Sequence, residues 1–143
     1  MPLARFTPTP PLQVTIRTNG RFAFNTAATA YLHARAIQRV TLYGDRDDMT
    51  VQLAPAAATD RAAALVSYSF REDGTPASAT IEVAPFLRWL GYHIEHSLRF
   101  TLRVVPCTIV PPQHHTGHAE QFLAFTATPE QAIPVRIGRP PGN

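Results

Sequence analysis

Between residues 14 and 54, apolar and polar side chains alternate in short runs separated by turn signals. Val14, Thr15, Ile16 and Arg17 form the first run, closed by Asn19 and Gly20, the strongest short hairpin signal. A second run, Arg21, Phe22, Ala23 and Phe24, ends at Asn25, which stands where a helix N-cap belongs. Residues 26–34 are rich in alanine, with Ala28, Tyr31 and Leu32 on one helical face. Residues 38–44 then alternate again, with Val40 and Leu42 on one side and Thr41 and Tyr43 on the other. A polar turn at Asp45, Arg46, Asp47 and Asp48 leads into a returning strand over 49–54. The order is strand, turn, strand, short helix, hairpin.

The second half repeats that order. Tyr68, Ser69, Phe70 and Arg71 are closed by Asp73 and Gly74, as the first run is closed by Asn19 and Gly20. Residues 80–83 alternate, Pro85 occupies the first helical position, and the apolar stretch from Phe86 to Leu90 is ended by Gly91. Arg99, Phe100, Thr101 and Leu102 echo Arg39, Val40, Thr41 and Leu42, and residues 107–110 supply the returning strand. Loop lengths differ between the copies, so the pattern reads as a degenerate duplication; the bland alternative is two similar units drawn from the small menu of local structures.

Five segments follow from this. Residues 1–13 hold Pro2, Pro8, Pro10 and Pro11 and read as an extended arm. Residues 14–55 are the first unit, and 56–65 are an alanine-rich linker or short helix. Residues 66–112 are the second unit. Residues 113–143 form an extension with one or two edge strands: 121–126 read as an extra strand, and Pro134 confines a strand over 133–137 to a sheet edge. The end, 138–143, is rich in Pro and Gly and is expected to fray.

The run Gly20 to Asn25, the short helix ending near Leu32 and the hairpin from Arg39 to Leu53 resemble the AbrB/MazE-type swapped-hairpin domain. About 40 residues carry the resemblance, with an echo over 68–110. It implies an α+β, mostly β fold in which the two units interlock into a small swapped-hairpin-like barrel. In that family two copies, normally from two chains, bind duplex DNA; here the two halves of one chain would do what two subunits do. The family's proline after the second strand is Asn25 in this chain, and its basic helix positions fall on Thr29 and Ala30. Arg21 transfers directly.

Composition sharpens the picture modestly. The chain of 143 residues is 45% hydrophobic, enough for a packed core. No apolar run approaches the roughly 20 residues of a membrane helix, and the first residues lack a long apolar leader. A cytoplasmic protein is the expectation. The single cysteine, Cys107, excludes an internal disulfide and suits a small buried residue in a strand. The net charge is +3, and all 13 basic residues are arginine. Guanidinium forks suit phosphate and guanine edges, although alanine, proline and arginine richness without lysine is also what a GC-rich genome encodes.

Candidate chemistry is sparse. His114, His115, His118 and Glu120 cluster in a polar loop, but their spacing matches no standard zinc module. His93 and His96 lie after Gly91, where helix continuation is doubtful and the metalloprotease order is absent. Asp45, Asp47 and Asp48 make a solubilising turn rather than a calcium loop. Ser67 and Ser69 lack a nucleophile elbow, and no phosphate loop or dinucleotide fingerprint occurs. Catalysis and a bound cofactor are therefore not expected. Arg21, Arg39, Arg46, Arg99 and Arg103 are the candidate phosphate contacts, with Arg99, Thr101 and Arg103 expected on one strand face. Phe86 and Trp89 are core residues of the second unit or anchors for a protein partner. The expected function is non-catalytic DNA binding or regulation, as in transition regulators and antitoxins of that family. The alternative is a protein-binding module, such as an inhibitor, an assembly subunit or a phage-type accessory protein. Duplex DNA or a protein is then the partner, no membrane is involved, and a homodimer is allowed.

Overall fold

The structure, a computed structural model, describes residues 3, 10–93, 95–106 and 121–135. Eleven strands and two α-helices occur among them: β1 (Gln13–Ile16), β2 (Arg21–Phe24), α1 (Thr26–Ala34), β3 (Arg39–Asp45), β4 (Thr50–Ala56), β5 (Ala64–Leu65), β6 (Ser67–Phe70), β7 (Pro76–Glu82), α2 (Ala84–Leu90), β8 (Leu98–Thr101), β9 (Arg103–Pro106), β10 (Gln121–Thr126) and β11 (Ile133–Pro134). Every described strand pairing is antiparallel. One sheet has the order β11-β8-β1-β2-β7-β6 and the other β5-β3-β4-β10-β9.

Alternation decides which residues enter the core. Val14, Ile16, Phe22, Ala79, Ile81 and Phe100 come from the first sheet, and Val40, Val51, Leu53, Leu123 and Phe125 from the second. All are buried in one cluster. Phe125 joins the two sheets: its ring centroid lies 5.6 Å from Phe22, edge-on, and 5.4 Å from Phe100. Each such aromatic pair contributes about 0.5–1.5 kcal/mol beyond its buried area.

Asn25 caps α1 as its position implies. Its Oδ1 accepts from the N–H of Ala28 at 2.9 Å and of Gln13 at 3.1 Å, while its Nδ2 donates to the Pro11 carbonyl at 2.9 Å. One side chain thus starts the helix and anchors the entry to β1. α1 ends in a Schellman arrangement, with Ile37 N–H donating to Leu32 O and Ala36 N–H to His33 O. α2 starts one residue earlier than the sequence implies: Val83 is the N-cap, so Pro85 is the second helical residue, and Gly91 closes the helix at φ +84°.

The two hairpin turns are built alike. Gly20 donates to Arg17 O and Arg17 to Arg21 O; Gly74 donates to Arg71 O and Arg71 to Thr75 O. Asn19 and Asp73 each accept, through Oδ1, from the backbone N–H two residues on. Both glycines have positive φ, +80° and +86°.

Beyond the turns the halves diverge. β3 and β4 form the expected hairpin. Their counterparts do not: β8 lies between β1 and β11, the chain breaks at Leu102, and β9 continues in the other sheet beside β10. The return strand expected over 107–110 lies outside the described residues, as do Cys107, the His114–His115–His118 group with Glu120, most of the proline-rich arm and the last eight residues. The expected extra strand exists as β10, but not at an edge. It sits between β4 and β9, and its unbroken run Phe122, Leu123, Ala124, Phe125 is buried on both faces. β11 is at an edge, as Pro134 requires. Residues 57–63 are turns rather than a helix.

Two tests probe these backbone demands. Ala36 holds φ +54° at the position where helices favour glycine, so Ala36→Gly is expected to raise stability by about 0.5–1 kcal/mol in chemical denaturation. A Cβ on Gly20 would lie 2.6 Å from Ala84 Cβ, whereas one on Gly74 meets nothing within 4 Å. Gly74→Ala therefore loses about 1–2 kcal/mol from the left-handed backbone alone. Gly20→Ala loses about 1–3 kcal/mol more, and equal losses would show that the β2 turn and α2 do not rest on that contact.

Candidate binding groove

A concavity lies where α2 meets the tip of the β3–β4 hairpin. It has a volume of about 980 Å³ and is lined by residues 42–48, Thr50 and Gln52 of the hairpin and by Trp89 and Leu90. Gly44 makes the approach possible. A Cβ there would stand 3.0 Å from Leu90 Cδ1 and from Trp89 Cζ3, and 3.1 Å from Phe86 Cζ. A glycine inside an alternating strand is the mark of such close approach. The sequence carried that signal in Gly44, although the candidate residues drawn from it did not include Gly44.

α2 is short, and its side chains divide cleanly. Leu87 and Leu90 are buried in the shared core, Phe86 is partly buried, and Trp89 remains 51% exposed. The Phe86 and Trp89 rings are 5.8 Å apart. Trp89 is the chain's only tryptophan. About half of its side chain faces solvent rather than the core.

The hairpin tip is a self-bonded acidic turn. Asp45 Oδ1 accepts from Asp47 N–H at 2.9 Å and Asp48 Oδ1 from Thr50 N–H at 2.9 Å. Thr50, through its hydroxyl first and then its N–H, holds the Asp48 carboxyl below the usual carboxylate range. Arg46, at the turn's centre, places its guanidinium carbon 5.8 Å from the Trp89 ring centroid. Tyr43, across the strand from Gln52, stacks on Phe122 at 6.2 Å.

The five arginines singled out by sequence do not assemble on one face. Arg21 pairs with Glu82 directly across the β2–β7 ladder, at 2.6 Å. Arg39 turns back on its own chain, donating to Ala58 O at 3.2 Å and Ala63 O at 3.0 Å, so it fastens the 57–63 turns. Arg46 lies at the other end of β3, roughly 20 Å away at strand rise. Arg99 alternates with the inward Phe100 and so faces outward from the first sheet. Arg103 pairs with Ala124, on the face of the second sheet opposite Leu123 and Phe125. The expected continuous stripe over 99–103 is broken because the chain changes sheets at Leu102. Arg103 and Thr101 do meet across that corner, lining a pocket of about 450 Å³ with Phe100, Thr126 and Gln131. On α1, Thr29 is fully buried and its hydroxyl faces Phe24 O.

Other candidates separate as well. His93, Glu95 and His96 lie beyond the end of α2 and are exposed. Ser69 and Ser78 hydroxyls bond each other across β6 and β7. His33 on α1 contacts Tyr68 and Phe70, each at 5.6 Å. The Tyr68 hydroxyl donates to Ile37 O, and burial pushes its pKa up to about 12. Among the described residues no group of three or more histidine, cysteine or carboxylate side chains is placed to hold a metal, and no helix is long and apolar enough to cross a membrane.

The chain matches no protein-family model, no curated protein and no solved structure. Its surfaces therefore have to be read from their own chemistry.

The dependence of the groove on Gly44 is directly testable. Gly44→Ala meets only the ends of flexible side chains and is expected to be tolerated, whereas Gly44→Val displaces α2. The valine variant should lose about 1–3 kcal/mol in denaturant unfolding and shift the Trp89 emission to longer wavelength. Unchanged emission in the valine variant would show that α2 does not close on the strand there.

Proposed function

We propose that this protein is a non-catalytic recognition protein whose partner is another protein, bound in the groove between α2 and the β3–β4 hairpin. One observation carries the reading: Trp89 is half exposed over a formed concavity while its helix neighbours Leu87 and Leu90 are buried. Aromatic residues held open on a rigid support are the usual anchors of protein interfaces.

The arginine distribution supports a protein over duplex DNA. Tracking a phosphate backbone needs several unengaged cations on one surface. Here Arg21 is neutralised by Glu82, Arg39 serves its own loop, and Arg99 and Arg103 lie on the outer faces of different sheets. The helix positions that carry basic residues in the AbrB/MazE-type domain are the buried Thr29 and the exposed but uncharged Ala30.

We further read the two halves as a degenerate duplication with a swapped-hairpin character. The matched turns at Arg17–Arg21 and Arg71–Thr75 support it. So does the exchange of strands: β1 and β2 of the first half border β8 and β7 of the second.

Two measurements together test the function. A photocrosslinking amino acid at Gln52, inside the groove, is expected to capture a protein in the native host, and one at the exposed Ser78 is not. Trp89→Ala should abolish the Gln52 product. In parallel, duplex-DNA anisotropy across a salt series should show no salt-dependent binding. A log–log slope worth several phosphates, about −0.9 each, lost in an Arg46→Ala/Arg103→Ala double variant, with no crosslink at Gln52, would make DNA the partner instead.

A further inference from the structure

Taking the groove as the recognition surface, its own contents indicate what enters it. Asp45, Asp47 and Asp48 line it alongside Trp89. Among the described residues the one ion pair within 4.0 Å is Arg21–Glu82, so no described cation is ion-paired with these carboxylates. Asp45 and Asp48 each commit one carboxylate oxygen to the turn's backbone N–H groups, while the Asp47 carboxylate accepts no hydrogen bond from the described residues. Beside this anionic rim stands a half-exposed indole, the aromatic side chain that attracts cations most strongly. A guanidinium already stands near that ring: Arg46, exposed and on the same turn, lies 5.8 Å from the ring centroid.

We propose that the groove recognises an arginine or lysine side chain on a partner segment, and that Arg46 is an internal stand-in which this side chain displaces from Trp89. The apolar stem of the incoming residue lies on Trp89 and Leu90, and its charged head meets the Asp47 carboxylate at the rim. Charge complementarity fixes the occupant: an acidic segment would have to approach three carboxylates and would find only Arg46 in its favour. The two cases give opposite signs. For a basic occupant, removing Arg46 removes a competitor; for an acidic occupant or a nucleic-acid phosphate, it removes the contact.

The test uses the full chain and its single tryptophan as reporter. Capped Leu-Arg-Leu, Leu-Gln-Leu and Leu-Glu-Leu peptides are titrated while Trp89 emission is followed. Only the arginine peptide is expected to give a saturable change. Arg46→Ala, with its fold checked by far-ultraviolet circular dichroism, should bind that peptide about two- to fivefold more tightly, the range of an exposed cation–π contact. Asp47→Asn should bind it more weakly. Equal or weaker binding by Arg46→Ala, or preference for the glutamate or glutamine peptide, would overturn the inference. If the Gln52 crosslink forms but the arginine peptide is ignored, the groove still recognises a protein and only the basic occupant is wrong. If both fail, the groove is not the recognition surface.

Discussion

The insertion of Phe125 between Phe22 and Phe100 is the contact on which the rest of this fold depends. It brings one ring from β10 against rings from β2 and β8, and so makes a single core from two sheets that are not hydrogen-bonded to each other in the described ladders. Everything that positions the groove follows from that junction. β10 holds β4 by its ladder, β4 holds β3, and β3 presents Gly44 to α2. α2 in turn is tied to the first sheet, where Gly20 O accepts from Val83 N–H and Ala84 sits against the Gly20 backbone. The groove is therefore spanned by elements from both sheets, and its shape is as rigid as their shared core.

Local patterns were legible where local chemistry decides. The hairpin turns at Asn19–Gly20 and Asp73–Gly74, the cap at Asn25, the stop at Gly91 and the β3–β4 hairpin were all readable from a few adjacent residues. What the sequence did not show is which ladder a strand joins. Leu98 to Pro106 reads as one alternating strand followed by a return, but Leu102 turns the chain into the second sheet, a choice made by packing over distances no window sees. The same holds for β10. It was expected in an extension of one or two edge strands, but its run of four apolar residues is covered on both faces inside the second sheet.

The candidate site was legible only in part, for a related reason. Arginine spacing says how side chains alternate along a strand, but not whether a guanidinium is already engaged. Arg39 is claimed by two carbonyls of its own loop and Arg21 by a carboxylate one strand away. Trp89 was visible as either core or anchor, and geometry keeps it out of the core. A helix of seven residues (Ala84–Leu90) can bury one face only, and Leu87 with Leu90 takes it.

The borders of the two sheets carry a further consequence. Of the four outermost strands described, β5 and β11 are two residues long, and β11 contains Pro134. β6 has its register shifted between Ser69 and Phe70, and β9 ends in Pro106 after opening with Arg103. None of these offers a long, flat row of unpaired amides to which a foreign strand could add. A foreign strand therefore meets little free backbone at these four borders. The four described borders thus give little purchase for open-ended assembly at high concentration.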